Sequence, residues 1–232
     1  MIDLHTHILP AIDDGPKTAK EAAALVKELA AQGVRVIVAT PHYLPYRESI
    51  DSFLKRRDAA AEKLRKELSD FPEAPQIILG SEVLFNSSIL NDPKLHKLCI
   101  QGTNKLLIEF SYSTALTNRL LQYMVRFSAE KEIVPVLAHI ERYKNLLFPK
   151  GVIEQLLDHD CLLQISCDAI LSLRLRFKIK SLLKKEMIHA IGSDTHNLTT
   201  RPPRWTESLE KLEKVCDKKY LKSLLTSQKI WQ

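Results

Sequence analysis

Apolar and polar positions along this chain alternate between short apolar runs and longer amphipathic stretches. The first run, Ile2 to His7, reads as a strand. Thr18 and Glu21 then form a capping box ahead of a helix whose apolar stripe is Ala22, Leu25, Val26 and Leu29, with Gly33 as its stop. The β-branched run 34–40 predicts a second strand, ended by Pro41 and His42. The charged, proline-free segment from about Ser49 to Leu68 predicts a second helix. Residues 76–82, 105–110, 133–139, 161–166 and 187–196 read as further strands, and helical periodicity returns over 114–131, 206–216 and 218–227. The stretch 173–180, LRLRFKIK, alternates as a strand would. Its place between two strands calls instead for a crossover helix, with Leu171, Leu175, Ile179 and Leu182 on one face.

A strand–helix unit repeated about seven times predicts a parallel sheet with right-handed crossovers. Open doubly wound sheets and closed barrels share that pattern, and the side chains decide between them. Residues of metal-ligating type stand at the C-terminal ends of strands one to five and seven: His5, His7, Asp14, His42, Glu82, Glu109, His139, Asp194 and His196. Along an open sheet those ends would spread out in a line, whereas in a barrel they ring one mouth, where such folds carry their sites. The expectation is therefore an α/β fold, a distorted seven-stranded (β/α)7 TIM-like barrel, with residues 1–232 as one domain.

Each candidate has an ordinary alternative when taken singly. Asp13-Asp14-Gly15-Pro16 is a turn signal in its own right, and a His-x-His pair is a common coincidence. Convergence changes that, because five of the eight histidines fall at the predicted mouth. His5 and His7, two apart on a strand, would face the same way, as metal ligation needs. His96, His159 and His189 lie away from it. Imidazole and carboxylate donors without thiolate suit manganese, iron or zinc in a catalytic site.

Composition excludes some readings. With 45% hydrophobic and 27% charged residues the chain is globular. No stretch approaches the roughly 18 apolar residues of a membrane span, and no secretory signal pattern opens the chain. Cys99, Cys161, Cys167 and Cys216 show no paired metal spacing, which fits reduced thiols in a cytoplasmic protein. None has an arginine six residues later, so a cysteine-based phosphate loop is absent. The formal net charge of +6 permits an anionic substrate, nucleic acid or an acidic membrane surface without selecting one. Neither a nucleic-acid partner nor membrane insertion is expected, and oligomeric state is left open.

The motifs His5-Thr6-His7, Asp13-Asp14-Gly15-Pro16, Thr40-Pro41-His42, Gly80-Ser81-Glu82, Leu107-Ile108-Glu109-Phe110-Ser111, Ala138-His139-Ile140-Glu141-Arg142-Tyr143 and Gly192-Ser193-Asp194-Thr195-His196-Asn197 occur in that order. Together they resemble the polymerase-and-histidinol-phosphatase (PHP) superfamily, in its branch of bacterial metal-dependent protein-tyrosine phosphatases associated with capsular and exopolysaccharide synthesis. The resemblance implies a trinuclear, manganese-favouring site, with iron or zinc as alternatives. One ion would take His5, His7, Glu82 and Asp194, a second Glu82, Glu109 and His139, and a third Asp14, His42 and His196. It implies that Arg142 and Arg201 grip the phosphate, that a hydroxide bridging two metals attacks phosphorus in line, and that the partner is the phosphotyrosine-rich tail of a bacterial tyrosine kinase. Two other readings use the same residues: a phosphoesterase acting on a small phosphorylated metabolite, and a non-catalytic metal-binding module. The chain departs from the family where Ala11 replaces a usual glycine, where Ile140 replaces a common proline, and over 166–180.

Overall fold

The computed structural model of the chain describes residues 1–111, 118–143 and 151–232. The first part of the expected helix 114–131 lies outside them; its remainder, Asn118–Lys131, is helical. In chain order the strands are β1 (Ile2–Thr6), β2 (Val36–Ala39), β3 (His42–Tyr43), β4 (Gln76–Leu79), β5 (Glu82–Leu84), β6 (Lys105–Glu109), β7 (Val134–Leu137), β8 (Leu162–Ser166) and β9 (Ala190–Gly192). The helices are α1 (Ala19–Ala31), α2 (Ile50–Glu67), α3 (Asn118–Lys131), α4 (Val152–Leu157), α5 (Cys167–Leu171), α6 (Arg176–Lys184), α7 (Trp205–Glu213), α8 (Lys218–Leu225) and α9 (Gln228–Trp231). Among the described residues every strand pairing is parallel, in a three-stranded sheet β1-β2-β4 and a six-stranded sheet β3-β5-β6-β7-β8-β9.

The strand expected over 76–82 is broken in two, and the one expected over 34–40 is followed, past its predicted stop, by the short β3. Between β2 and β3 stands Thr40-Pro41, and proline has no N–H for the ladder. Between β4 and β5 stands Gly80-Ser81, where side chains make new bonds: Arg57 of α2 donates to the Gly80 carbonyl (3.2 Å) and Ser81 Oγ to the Leu98 carbonyl (2.6 Å). The main chain runs on across both breaks, Gly80 N donating to Ala39 O (2.9 Å) and Glu82 N to Pro41 O (3.1 Å). These breaks hand the curled sheet from its first half to its second, and His42 and Glu82 are the first residues beyond them.

Leu4, Val38, Leu107, Val136 and Ala190, one residue from each of five strands, form a small buried cluster with Ile100 and Ile230. A larger cluster fills the space between strands and helices. Burying each such side chain contributes roughly 1.5–3 kcal/mol. The helices follow their sequence signals. Thr18 Oγ1 accepts from Glu21 N (3.2 Å) at the start of α1, and Ser49 Oγ accepts from Ser52 N (3.3 Å) at the start of α2. LRLRFKIK contributes to helix α6, with Ile179, Leu182 and Leu183 buried, so its strand-like alternation yields to the crossover. No helix among the described residues is long and apolar enough to cross a membrane.

Candidate metal centre

A slip of one residue in the β1–β2 register sets up the site. Asp3 pairs with Ile37 but Thr6 pairs with Ala39, so β1 carries one extra residue. The slip changes the phase of side-chain alternation, and His5 and His7 turn toward the mouth past Leu4, which packs in the small cluster. Their Nε2 atoms lie 3.1 Å apart, both rings fully buried. Gly192 lets β9 pass close by, since a Cβ there would stand 2.4 Å from that of His5. His139 and Asp194 have left-handed backbones, φ 32° and 54°, a conformation that costs an L-residue energy and that neighbours must hold. Gln164 Oε1 accepts from His139 N (2.7 Å), and Asp194 N donates to His5 O (2.8 Å).

All nine expected residues meet in this mouth. Glu82 is at its centre: Oε2 is 3.2 Å from Nε2 of both His5 and His7 and 3.0 Å from His42 Nδ1, and Oε1 is 2.7 Å from His139 Nε2. Asp194 Oδ1 stands 3.5 Å and 3.4 Å from the same two Nε2 atoms. Glu109 reaches His42 and His139 at 3.5 Å each, and Asp14, the most exposed member, lies 3.2 Å from His196 Nε2 and 3.5 Å from His42 Nε2. Donor atoms close enough to share an ion group as His5, His7 and Asp194; as His42, Glu82 and Glu109; and as His7, Asp14, His42 and His196. Against the sets that the resemblance implied, the first lacks Glu82, the second has His42 where His139 was expected, and the third adds His7. His139 joins none of the three groups and instead lies 2.7 Å from Glu82 Oε1.

The electrostatics fit a cation. Glu82 Oε2, Asp194 Oδ1, His42 Nδ1 and His196 Nε2 are buried without hydrogen-bond geometry to any described partner, although charged neighbours stand around them. Carboxylates so placed are costly unless a positive charge compensates them. In the metal-free protein that charge comes from protons. Burial opposes ionised carboxyls, yet the histidines hold Glu82 and Asp194 well below the usual carboxylate range. Burial likewise opposes a charged ring at His139, but Glu109 and Glu82 raise it to about 9. His7 and His42 are raised for the same kind of reason.

Arg142 and Arg201 enter the mouth as expected, and both hold Asp194 Oδ2; the Arg201 contact is 2.8 Å. Arg201 also lies 3.5 Å from Asp14. They therefore stand on the carboxylate edge of the site, half-exposed, with Asp194 turning its other oxygen to the histidines.

Two residues with a part in the site were missed in the sequence. Asp13, in sequence only part of a turn signal, has a nearly buried side chain: its Oδ2 accepts from His7 Nδ1 (2.8 Å) and His42 N (3.1 Å), and its Oδ1 from Gly15 N (3.0 Å). Burial alone would raise its pKa, but His7 brings it to about 2. Gln164, the lone amide in the apolar run of β8, faces His5 Nδ1 at 3.4 Å besides bonding His139 N. A polar residue in an otherwise apolar strand was the available signal. Of the aromatic residues near the strand ends, Tyr43 and Phe110 are core residues, while Tyr46 is exposed. All four cysteines are free, and burial raises each thiol pKa, so none is a thiolate at neutral pH.

A family model for capsular polysaccharide synthesis, CpsB/CapC, matches residues 1–230. The chain belongs to the CpsB/CapC family. Among its relatives, the tyrosine-protein phosphatase CpsB of Streptococcus agalactiae serotype III (strain NEM316) is 34% identical over 226 residues, covering 90% of this chain and 88% of that protein. A solved chain, from work on YwqE of Bacillus subtilis and CpsB of Streptococcus pneumoniae described as metal-dependent tyrosine phosphatases, superposes with a TM-score of 0.85 at 26% identity. It covers 100% of this chain and 94% of that one. The histidinol phosphate phosphatase of Lactococcus lactis, solved with zinc, L-histidinol and phosphate, matches with a TM-score of 0.53 at 14% identity over 92% of each chain, a likeness of fold alone. The ordered motifs thus pointed to the right family, and the CpsB/CapC chain has the parallel α/β architecture of these neighbours.

Proposed function

We propose that this CpsB/CapC chain is a metal-dependent protein-tyrosine phosphatase of the cytoplasm, with residues 1–232 as one catalytic domain. The observation that carries the reading is the convergence of nine imidazole and carboxylate side chains, five of which (His42, Glu82, His139, Asp194 and His196) each have a buried nitrogen or oxygen without hydrogen-bond geometry to a described partner. The relatives' activity supports it. We read the strands as one closed, distorted seven-stranded barrel, in which β2 with β3 and β4 with β5 each make a single broken strand. Closure would run through the hydrogen bonds of β1 to the segment after β9, His7 N to Thr195 O (3.0 Å) and Asp194 N to His5 O.

The donor set fits divalent metals, manganese first, in up to three positions. His5, His7, Glu82 and Asp194 would hold one, Glu82, Glu109 and His139 a second, and Asp14, His42 and His196 a third, with His7 and His42 close enough to two positions to be shared. Such ions supply Lewis acidity and a water acidic enough to attack phosphorus near neutral pH. The chain's own groups do the rest. Asp13 fixes the His7 ring with Nε2 toward the mouth, and Gln164 positions the His139 backbone. Arg142 and Arg201 present planar forks at the rim, suited to two phosphate oxygens at once as charge redistributes. The substrate would be a phosphotyrosine protein, the tail of a bacterial tyrosine kinase being the reading favoured by the resemblance. A small phosphorylated metabolite is the second reading, because the same residues could serve it.

Elemental analysis of protein purified without chelator tests the metal component. Between two and three transition-metal ions per chain are expected, and a fully active protein without metal would overturn the proposal.

A further inference from the structure

On the helical layer, residues 171–185 contain six Lys or Arg and no Asp or Glu. This equals the net charge of the whole chain, concentrated in one segment. The cations are placed around apolar side chains. Leu173 is 77% exposed and Phe177 72%, more than any other large hydrophobic residue among the described ones. They stand four residues apart, on the turn before α6 and on its first residues, with Arg174, Arg176, Lys180, Lys184 and Lys185 exposed beside them. The Arg176 guanidinium lies 4.4 Å from the centre of the Phe177 ring. Next to them, between α6 and α7, is a recess of about 260 Å³ with an aliphatic floor that includes Ile170 and Ile179 and a rim that adds Lys211 and Lys214 from the α7 side.

From this arrangement we infer that the α5–α6 corner is a peripheral contact for an anionic lipid surface, with Leu173 and Phe177 entering the headgroup boundary and the surrounding Lys and Arg holding acidic headgroups. The chemistry fits: projecting apolar side chains in a cationic field are what an interfacial contact uses, and each basic residue near the surface adds attraction. Charge selects against other occupants. A second copy would bring the same positive patch against itself in a two-fold contact. Protein interfaces are depleted in lysine, whereas this rim includes Lys180, Lys211 and Lys214. A nucleic acid would use the cations and leave Leu173 idle. With no helix long and apolar enough to cross a membrane among the described residues, the contact would lie on the surface. The inference does not depend on the phosphatase reading.

Co-sedimentation of the full chain with vesicles tests it. Phosphatidylcholine vesicles carrying about 30 mol% phosphatidylserine should bind the protein at about 0.1 M salt, and pure phosphatidylcholine vesicles should not. Leu173→Ser with Phe177→Ser should weaken binding about tenfold or more, with an unchanged melting temperature, because both side chains are exposed. Arg174→Ser with Lys180→Ser should weaken it similarly. Lys63→Ser with Lys66→Ser, removing two exposed charges from α2, should change it less than about twofold. Absence of binding to the acidic vesicles overturns the inference. So does binding that survives loss of both apolar side chains, or that the α2 variant weakens as much as the α6 variant. Capture by an acidic, leucine-containing peptide but not by vesicles would assign the patch to a protein partner and equally overturn it.

Discussion

Asp13→Asn isolates how much the site depends on a residue that is not among its proposed metal ligands. One Asp13 oxygen accepts from His7 Nδ1 and from His42 N, and the other accepts from Gly15 N. All three partners donate, and a carboxylate can accept from all of them. An amide cannot. With its oxygen toward His7, the NH2 faces the Gly15 N–H, and the turn that carries Asp14 loses a bond. With its NH2 toward His7, Nδ1 must accept, which moves the ring proton to Nε2 and removes the lone pair a metal would use. Replacing such outer partners of metal-binding histidines typically costs 10–100-fold in affinity, roughly 1.4–2.7 kcal/mol. Competition with a chromophoric chelator would measure this directly. The expected result is metal affinity weaker by about 10-fold or more, with kcat/KM falling in step and recovering in part at high metal concentration. Wild-type metal affinity together with wild-type kcat/KM would refute the role given to Asp13.

Other outcomes follow from the same geometry. Ala11 has φ 56°, so Ala11→Gly relieves about 1–2 kcal/mol of left-handed strain against about 0.5–1 kcal/mol of added chain entropy; a rise in Tm is expected, and a fall would contradict the strain. Arg142→Ala and Arg201→Ala should lower kcat/KM about tenfold or more, roughly 1.4 kcal/mol, without loss of metal; metal loss in either variant would assign that arginine to holding Asp194 instead. In chelated protein the folded pKa of His139, about 9, stands above the unfolded imidazole value, so its contribution to stability is complete below about pH 6.5 and is lost as pH rises through 9. The Tm of chelated protein should therefore fall over that window while metal-loaded protein resists the fall, and metal uptake near neutral pH should release protons; uptake without proton release would contradict the protonated mouth.

Much of the fold was legible because its signals are local. The Thr18–Glu21 capping box, the β-branched run before Pro41 and the Gly33 stop all act within a turn or two of chain. The nine site residues were legible because strand ends in a parallel α/β fold share one face, so residue type plus position sufficed. LRLRFKIK misleads by pattern but not by place. What the sequence withheld depends on contacts across the fold. The one-residue slip in β1 has no mark in IDLHT; it exists only against β2. Asp13 and Asp14 are chemically alike in sequence, and only the closeness of His7 to one and of His196 to the other separates their roles. The departure at Ala11 was visible, and its meaning appeared with the positive φ. The pairing of both arginines with Asp194 likewise required the structure.

The most direct test of the proposed activity compares turnover of one peptide phosphorylated on tyrosine, the same peptide phosphorylated on serine at that position, and a panel of small phosphorylated metabolites, on protein of measured metal content. A tyrosine phenol leaves with a pKa of about 10, whereas a serine alkoxide is several units more basic and needs a proton as it departs. The histidines and carboxylates of the mouth are all committed in this account to metal or to one another, which leaves none to give that proton. The prediction is that the metal-loaded protein prefers phosphotyrosine over phosphoserine by about tenfold or more in kcat/KM, with slower turnover of the metabolites. Equal rates on the two peptides, or faster turnover of a metabolite, would contradict it.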